Sequence, residues 1–455
     1  MNAEQMVQGM ISKARIAQKE IENYSQDQVD AICKAIAKVV YDNAVELAEM
    51  AVEETGMGRV DHKITKNRGK AKIIWADMKD EKSVGIIDRD PLTGITKVAK
   101  PMGVVGAITP TTNPIVTPMC NAMFAVKGRN AVIISPHPRS KKCSNYTVQL
   151  INQELAKMGV PKDLIQCIEE PTVEASGFVM KLADVCISTG GMGMVRAAYS
   201  SGKPAFGVGA GNVQCIIDRD VDFMKATEMI VAGREFDHGI ICSCEQTSIV
   251  PADNYSDIVA AFIENGAFYI EDPEQVKALR DTLFPDGIMN KDCVGQSAFD
   301  VAGLAKIDVP QETRILLVKA DTYGKDDLLS KEKMCPVNSI YAYDTWEKAV
   351  EIANANLEVE GKGHTVCIHS NNTEHIEYAA QILPVSRFCI NQICATSNGG
   401  SFVNGLAATT TLGCGSWGNN SISENLSFRH LFNVSRIATV IPNAVVPGDE
   451  EIWEN

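Results

Sequence analysis

Along the first eighty residues, apolar side chains recur at helical spacing. The clearest stretch is VDAICKAIAKVVYDNAVELAEMAVEET (29–55), and this region is predicted to be helical. The pattern then changes. SVGIIDRD (83–90) and GITKVAKP (94–101) are strand-like, and Pro91 to Gly94 supply the turn of a hairpin. From about residue 104, short β-branched runs alternate with helical stretches. GVVGAIT, NAVIISP, DLIQCIE and ADVCIST are the runs, and KKCSNYTVQLINQELAKMG is one of the helices between them. That alternation predicts a parallel sheet in a doubly wound α/β domain. A second α/β region follows Cys242, with strands near TSIVP, RILLVKA, SIYAYD, TVCIHS and SRFCIN and helices such as TWEKAVEIANAN. Glycine and asparagine crowd residues 398–425, which implies tight turns and close backbone approach. The divisions expected are 1–235, 236–425 and a tail from 426 to 455.

Composition narrows the functional classes. The 455-residue chain is 45% apolar, enough for large cores, and carries a formal charge of −14. A chain this acidic lacks the basic face that nucleic acids and anionic membranes require, so neither is an expected partner. No run approaches the 18 to 20 apolar residues of a membrane span. The charged, amphipathic opening does not read as a signal peptide. Fourteen scattered cysteines suit a reducing compartment, and the cytoplasm is expected.

Two stretches carry candidate chemistry. ADVCISTGGMGMVRAAYSSG (183–202) places a glycine-rich turn after a strand and before a helix, where first-turn amides could hold a pyrophosphate. It is not the G-x-G-x-x-G fingerprint, and an ordinary strand-to-helix turn explains it as well. EFDHGIICSCEQ (235–246) holds Cys242 and Cys244 two residues apart. With Cys389 and Cys394 they could supply four thiolates, but zinc sites favour C-x₂₋₄-C pairs and redox pairs favour C-x-x-C. Packing and a single nucleophile stay open on spacing alone.

Six motifs taken in order say more. TPTTNP (109–114), STGG (188–191), FDHGIICSCEQ (236–246), EKMCPV (332–337), GKGHT (361–365) and TLGCGSWGNNSISEN (411–425) together resemble the CoA-acylating aldehyde dehydrogenases. The resemblance runs over essentially the whole chain. It is nearest to the CoA-dependent succinate semialdehyde dehydrogenase branch, which shares YSQDQVD, TPMCNAM and the EEIW ending. It implies an aldehyde dehydrogenase-like α/β fold, with a Rossmann-type cofactor domain, an α/β catalytic domain and a small oligomerisation element built from hairpin 84–100 and the tail. Homodimers, or tetramers of paired dimers, are expected, acting on a small-molecule substrate.

By that resemblance Cys242 is the nucleophile and Cys244 a bystander. A thiolate adds to an aldehyde and later departs from a thioester. Asn113 would stabilise the oxyanion together with the Cys242 N–H, and Glu332 would hold the nicotinamide ribose. Thr109, Pro110, Ser188, Gly190 and Gly191 would line the cofactor. His364 would handle the CoA thiol proton or position the acyl group, and a structural role for it is equally open. Relatives that hydrolyse their thioester carry a water-activating glutamate in E-L-G-G. FGVGAGN (206–212) stands there without a carboxylate, so transfer to coenzyme A is expected. His137 and Arg139, followed by two lysines, close AVIISPHPRSKK and favour NADP, with NAD the alternative. No metal is implied. Lys63, Asn67 and Lys70 recur at helical spacing. Lys70 and Ser243 are expected to meet the distal carboxylate of a succinyl group, whereas an acetaldehyde- or propionaldehyde-type enzyme would present an apolar wall.

Overall fold

A computed structural model describes residues 2–454 of the chain. Four helices come first: α1 (Ala3–Ile21), α2 (Gln26–Asp42), α3 (Ala44–Thr55) and α4 (Val60–Met78). Asn2 and Ser25 close capping boxes on α1 and α2, so two otherwise unpaired amides at the start of each helix are satisfied. Gly56 ends α3 at φ +67, the left-handed conformation glycine adopts without strain. The buried stripe of α2, Val29, Ile32, Cys33, Ile36 and Val40, packs into one large core with the sheet that follows.

The hairpin forms as expected from β1 (Gly85–Asp90) and β2 (Ile95–Pro101). Then come β3 (Val104–Thr109), α5 (Val116–Lys127), β4 (Ala131–Pro136), α6 (Lys141–Lys157), β5 (Ile165–Cys167), α7 (Val173–Leu182), β6 (Val185–Thr189), α8 (Met192–Tyr199) and β7 (Ala205–Val208). These five later strands make a parallel sheet in the order β5-β4-β3-β6-β7. Strands β3 and β4 are buried along their whole length, as expected of a sheet covered by helices on both faces.

The next strands are β8 (Val213–Ile217), β9 (Glu245–Pro251), β10 (Ala267–Ile270), β11 (Ile315–Lys319), β12 (Val337–Tyr343), β13 (Gly363–His369) and β14 (Val385–Ile390). They form a second parallel sheet in the order β10-β11-β12-β9-β8-β13-β14. The change of sheet falls between Val208 and Val213, not at the division expected at 235. Strand β8 and the following helix α9 (Phe223–Glu235) already pack in the second core. The last strand, β15 (Phe432–Ala438), returns to pair antiparallel with β2, so hairpin and tail share a three-stranded sheet. Among the described residues, no helix is long and apolar enough to cross a membrane.

Candidate active site

The chain leaves β3 toward β4 and β5 on one side and later fills the other side with β6 and β7. The topological switch point therefore lies between β3 and β6, and a ligand crevice is expected outside their carboxyl ends. Thr109 and Ser188 stand at those ends, and each holds a buried hydroxyl with no hydrogen-bond partner. Such hydroxyls are spare polar capacity that a bound nucleotide can take up. Gly190 and Gly191 precede α8, and a Cβ added at either would meet nothing within 4 Å, so open space lies before the helix's first turn. His137, Arg139 and Lys142 are exposed beyond β4, while Lys141 is paired with Glu170. The His137 Nδ1 accepts the Arg139 N–H at 3.1 Å. These residues fit a dinucleotide.

The loop that carries Cys242 is built by a strained turn. Asp237 and His238 both lie at φ 52, a conformation that costs a non-glycine residue energy and needs anchoring. Helix α4 supplies the anchors. The Asp237 carboxylate accepts the Arg59 N–H at 3.0 Å, the Lys63 ammonium at 2.9 Å and the Lys66 ammonium at 2.5 Å, while its own N–H donates to His62 Nδ1 at 2.9 Å. Two ammoniums on one carboxylate outweigh its burial and hold Asp237 at about 2.

Beyond that turn the two cysteines part. Cys242 is half-buried at the wall of a cavity of about 310 Å³. Cys244 is fully buried with its Sγ 3.7 Å from the Phe236 carbonyl, and it is absent from the cavity lining. Behind Cys242 the chain comes very close at Gly211, where an added Cβ would sit 1.8 Å from the Cys242 carbonyl oxygen. The Gly211 N–H donates to Glu332 Oε1 at 3.3 Å. Burial, with Glu360 beside it, raises Glu332 to about 8. Burial and the neighbouring Glu332 and Cys414 push the Cys242 thiol up to about 12, while Arg387 pulls the other way. His364 is fully buried, and its Nε2 lies 3.3 Å from the Cys242 Sγ.

Asn113 lines the same cavity, together with Lys66, Lys70, Phe236, Ser243 and Phe402. The Lys70 ammonium donates to the Gly399 carbonyl at 2.9 Å, and burial lowers it to about 8. No carboxylate figures among the groups acting on it. The Ser243 hydroxyl donates to the Ala395 carbonyl at 3.2 Å. Of the three α4 residues at helical spacing, Lys70 alone lines the cavity. Lys63 is spent on Asp237, and the Asn67 amide donates to the Ala44 carbonyl at 3.3 Å, so neither lines the cavity. The α4 residues that do are Thr65, Lys66, Gly69, Lys70 and Ile73.

Comparison with known proteins gives the family. The model of the aldehyde dehydrogenase family matches residues 1–276. A succinate-semialdehyde dehydrogenase (acetylating) of Clostridium kluyveri is 54% identical over 453 residues, covering 100% of both chains. The chain belongs to the aldehyde dehydrogenase family. An acetylating aldehyde dehydrogenase of Geobacillus thermoglucosidasius superposes with a TM-score of 0.94 at 37% identity, over 98% of each chain. An engineered glycolyl-CoA reductase with bound NADP+ superposes at 0.84 and 29%, over 95% of this chain and 96% of its own.

For a chain of this family, one arrangement brings together Cys242, His364 and Glu332, and another brings Cys242, Asn113, Lys70 and Ser243 to one cavity. The metal reading of the cysteines finds no support: among the described residues, no group of three or more ligand side chains could hold a metal. Three residues escaped the sequence reading. Lys66 sits four residues before Lys70 and shares its face, a spacing that was readable. Arg387 was readable too, as a cation in the inward-facing row Val385, Arg387, Cys389 of β14. Thr365 closes the GKGHT motif, which by itself gives that residue no role.

Proposed function

We propose that the protein is a CoA-acylating succinate semialdehyde dehydrogenase, interconverting succinyl-CoA and succinate semialdehyde through a thioester on Cys242. Lys70 carries the substrate assignment. Its ammonium lines the Cys242 cavity and, among the described residues, has only a backbone carbonyl for a partner. The distal carboxylate of a succinyl group would complete it with a charge-assisted bond, worth roughly 1.5–3 kcal/mol. Lys66 shares Asp237 with Lys63, which leaves the wall one further positive charge in excess. An acetyl or propionyl group offers neither cation a partner.

The chemistry follows from the residues around the sulfur. The Cys242 thiolate attacks the succinyl-CoA carbonyl and the CoA thiolate departs, leaving the acyl group on the protein. The Asn113 amide and the Cys242 N–H face the oxyanion that develops; losing one such donor costs about 10²–10³ in rate. When bound, a nicotinamide dinucleotide would supply the chemistry of hydride transfer. Glu332 would hold its ribose, Thr109, Pro110, Ser188, Gly190 and Gly191 would line its crevice, and His137 and Arg139 would receive the 2′-phosphate of NADP. The stretch 206–212 has no carboxylate to activate water, so the acyl group waits for the CoA thiolate. The three-stranded sheet and tail form the oligomerisation element of a homodimer or a tetramer of paired dimers, and the enzyme works in the cytoplasm.

Initial rates with succinyl-CoA and acetyl-CoA, each with NADH and NADPH, test this reading. Succinyl-CoA with NADPH is expected to be fastest. Faster turnover of acetyl-CoA would reassign the substrate to the small apolar class, and no turnover of any acyl-CoA would leave a non-catalytic protein.

A further inference from the structure

The hydrogen-bond partners of Thr365 determine what His364 can do. The Thr365 Oγ1 receives the Arg387 Nε–H at 3.3 Å and the Asn398 Nδ2–H at 3.4 Å, and it lies 3.0 Å from His364 Nδ1. A guanidinium and an amide NH₂ have protons to give and no lone pair to offer. Together they occupy both lone pairs of the hydroxyl oxygen. Its single proton then has one partner left, the Nδ1 of His364, which must present a lone pair. A neutral imidazole carries one N–H, so that proton stands on Nε2, 3.3 Å from the Cys242 sulfur.

We infer that His364 is a fixed hydrogen-bond donor to the nucleophilic sulfur, its tautomer set by Thr365 beneath Arg387 and Asn398, and that it does not take the thiol proton. The inference rests on the reading of Cys242 as nucleophile. Arg387 and Thr365 are positioning residues. Arg387 is buried, and its guanidinium also donates to the carbonyls of His364 and Gly413, both at 2.8 Å, and to Asn425 Oδ1 at 3.2 Å. It therefore ties β13, β14 and the 413–425 loop into one frame behind the ring. Burial and this same cation lower His364 to about 3, which leaves it too weak a base to hold a proton at neutral pH.

The proton balance does not require a base. Collapse of the thiohemiacetal oxyanion gives aldehyde and returns Cys242 as its thiolate. That thiolate attacks the next acyl-CoA, and the departing CoA thiolate takes its proton from solvent. What the cycle needs is a donor that stabilises the thiolate as it forms, against the burial and the neighbouring groups that push this thiol up.

The test compares two side chains at position 364. Glutamine places an N–H near the ring Nε2 but cannot act as a base; alanine offers neither. His364→Gln is expected to keep kcat within about tenfold of the parent, and His364→Ala to lose about 10²–10³. Iodoacetamide trapping of Cys242 against pH, read by peptide mass spectrometry, should titrate higher in His364→Ala and in Thr365→Val, and return in His364→Gln and Thr365→Ser. Glutamine as inactive as alanine would overturn the inference. In the unmodified enzyme, ¹⁵N-histidine NMR should show His364 as the neutral Nε2–H tautomer, and an Nδ1–H tautomer or an imidazolium would overturn it independently of any variant. Retained activity in Cys242→Ala would instead remove the underlying reading and leave the tautomer result standing.

Discussion

Two thiols two residues apart have opposite surroundings. Cys242 reaches the cavity and a ring nitrogen, whereas Cys244 is enclosed and faces a carbonyl. Cys242→Ala is therefore expected to abolish acyl-CoA reduction, and Cys244→Ala to keep most of it; the reverse pattern in initial rates would reassign the nucleophile. Lys70 gives the substrate preference a pH signature. Its pKa is lowered to about 8, so the charged form is present below that value and lost as pH rises through it. The ratio of kcat/KM for succinyl-CoA over acetyl-CoA should fall above about pH 8, and Lys70→Ala should lower that ratio at neutral pH and flatten its profile. Equal losses for both substrates would make Lys70 structural or a CoA contact. At this scale the sequence was informative where a residue sits in a motif. Even within a motif it was silent where a role depends on neighbours from other strands, as with Thr365 of GKGHT, whose partners come from β14 and the turn at Asn398.

Elements decide what would follow a thioester on Cys242 and whether the Cys242 loop holds its shape. Stretch 206–212 lays Gly211 against the Cys242 carbonyl and carries no carboxylate. With succinate semialdehyde and NADP but no CoA, stopped-flow absorbance should show one equivalent of NADPH per active site and then little more. Sustained turnover without CoA would mean that another group activates water. The clamp of α4 on the strained turn at Asp237 predicts a stability loss. Asp237→Asn leaves two buried ammoniums without their carboxylate and should cost about 3–5 kcal/mol, read from urea midpoints. Helices with a clear period and strands rich in β-branched residues were legible from sequence. Strands β7 and β8 were not, because a glycine-rich link joins them with no helix between. Spacing places Lys63, Asn67 and Lys70 together on α4, but the carboxylate of Asp237 and the first residue of α3 claim the first two, which leaves Lys70 for the cavity.

At the level of the whole molecule, the chain places one reaction centre against two sheets and leaves a third, three-stranded sheet at the edge. That sheet and the tail beyond it expose Leu92, Val440, Val445, Val446 and Trp453, each at least 80% accessible, which is more apolar surface than a monomer needs to show. Removing the residues after Ala438 should reduce the mass measured by light scattering toward one chain, and an unchanged mass would place the subunit contact elsewhere. The pairing of hairpin with tail was legible only through family resemblance, since no local pattern links residues more than three hundred positions apart. The central claim joins the nucleophile to the succinyl group, and one experiment reaches both. The enzyme is incubated with equimolar succinyl-CoA and acetyl-CoA without reduced nicotinamide, and the peptide containing Cys242 is examined by mass spectrometry. The prediction is a predominant succinyl thioester on Cys242; an acetyl adduct in excess, or a succinyl adduct on Cys244, would contradict it.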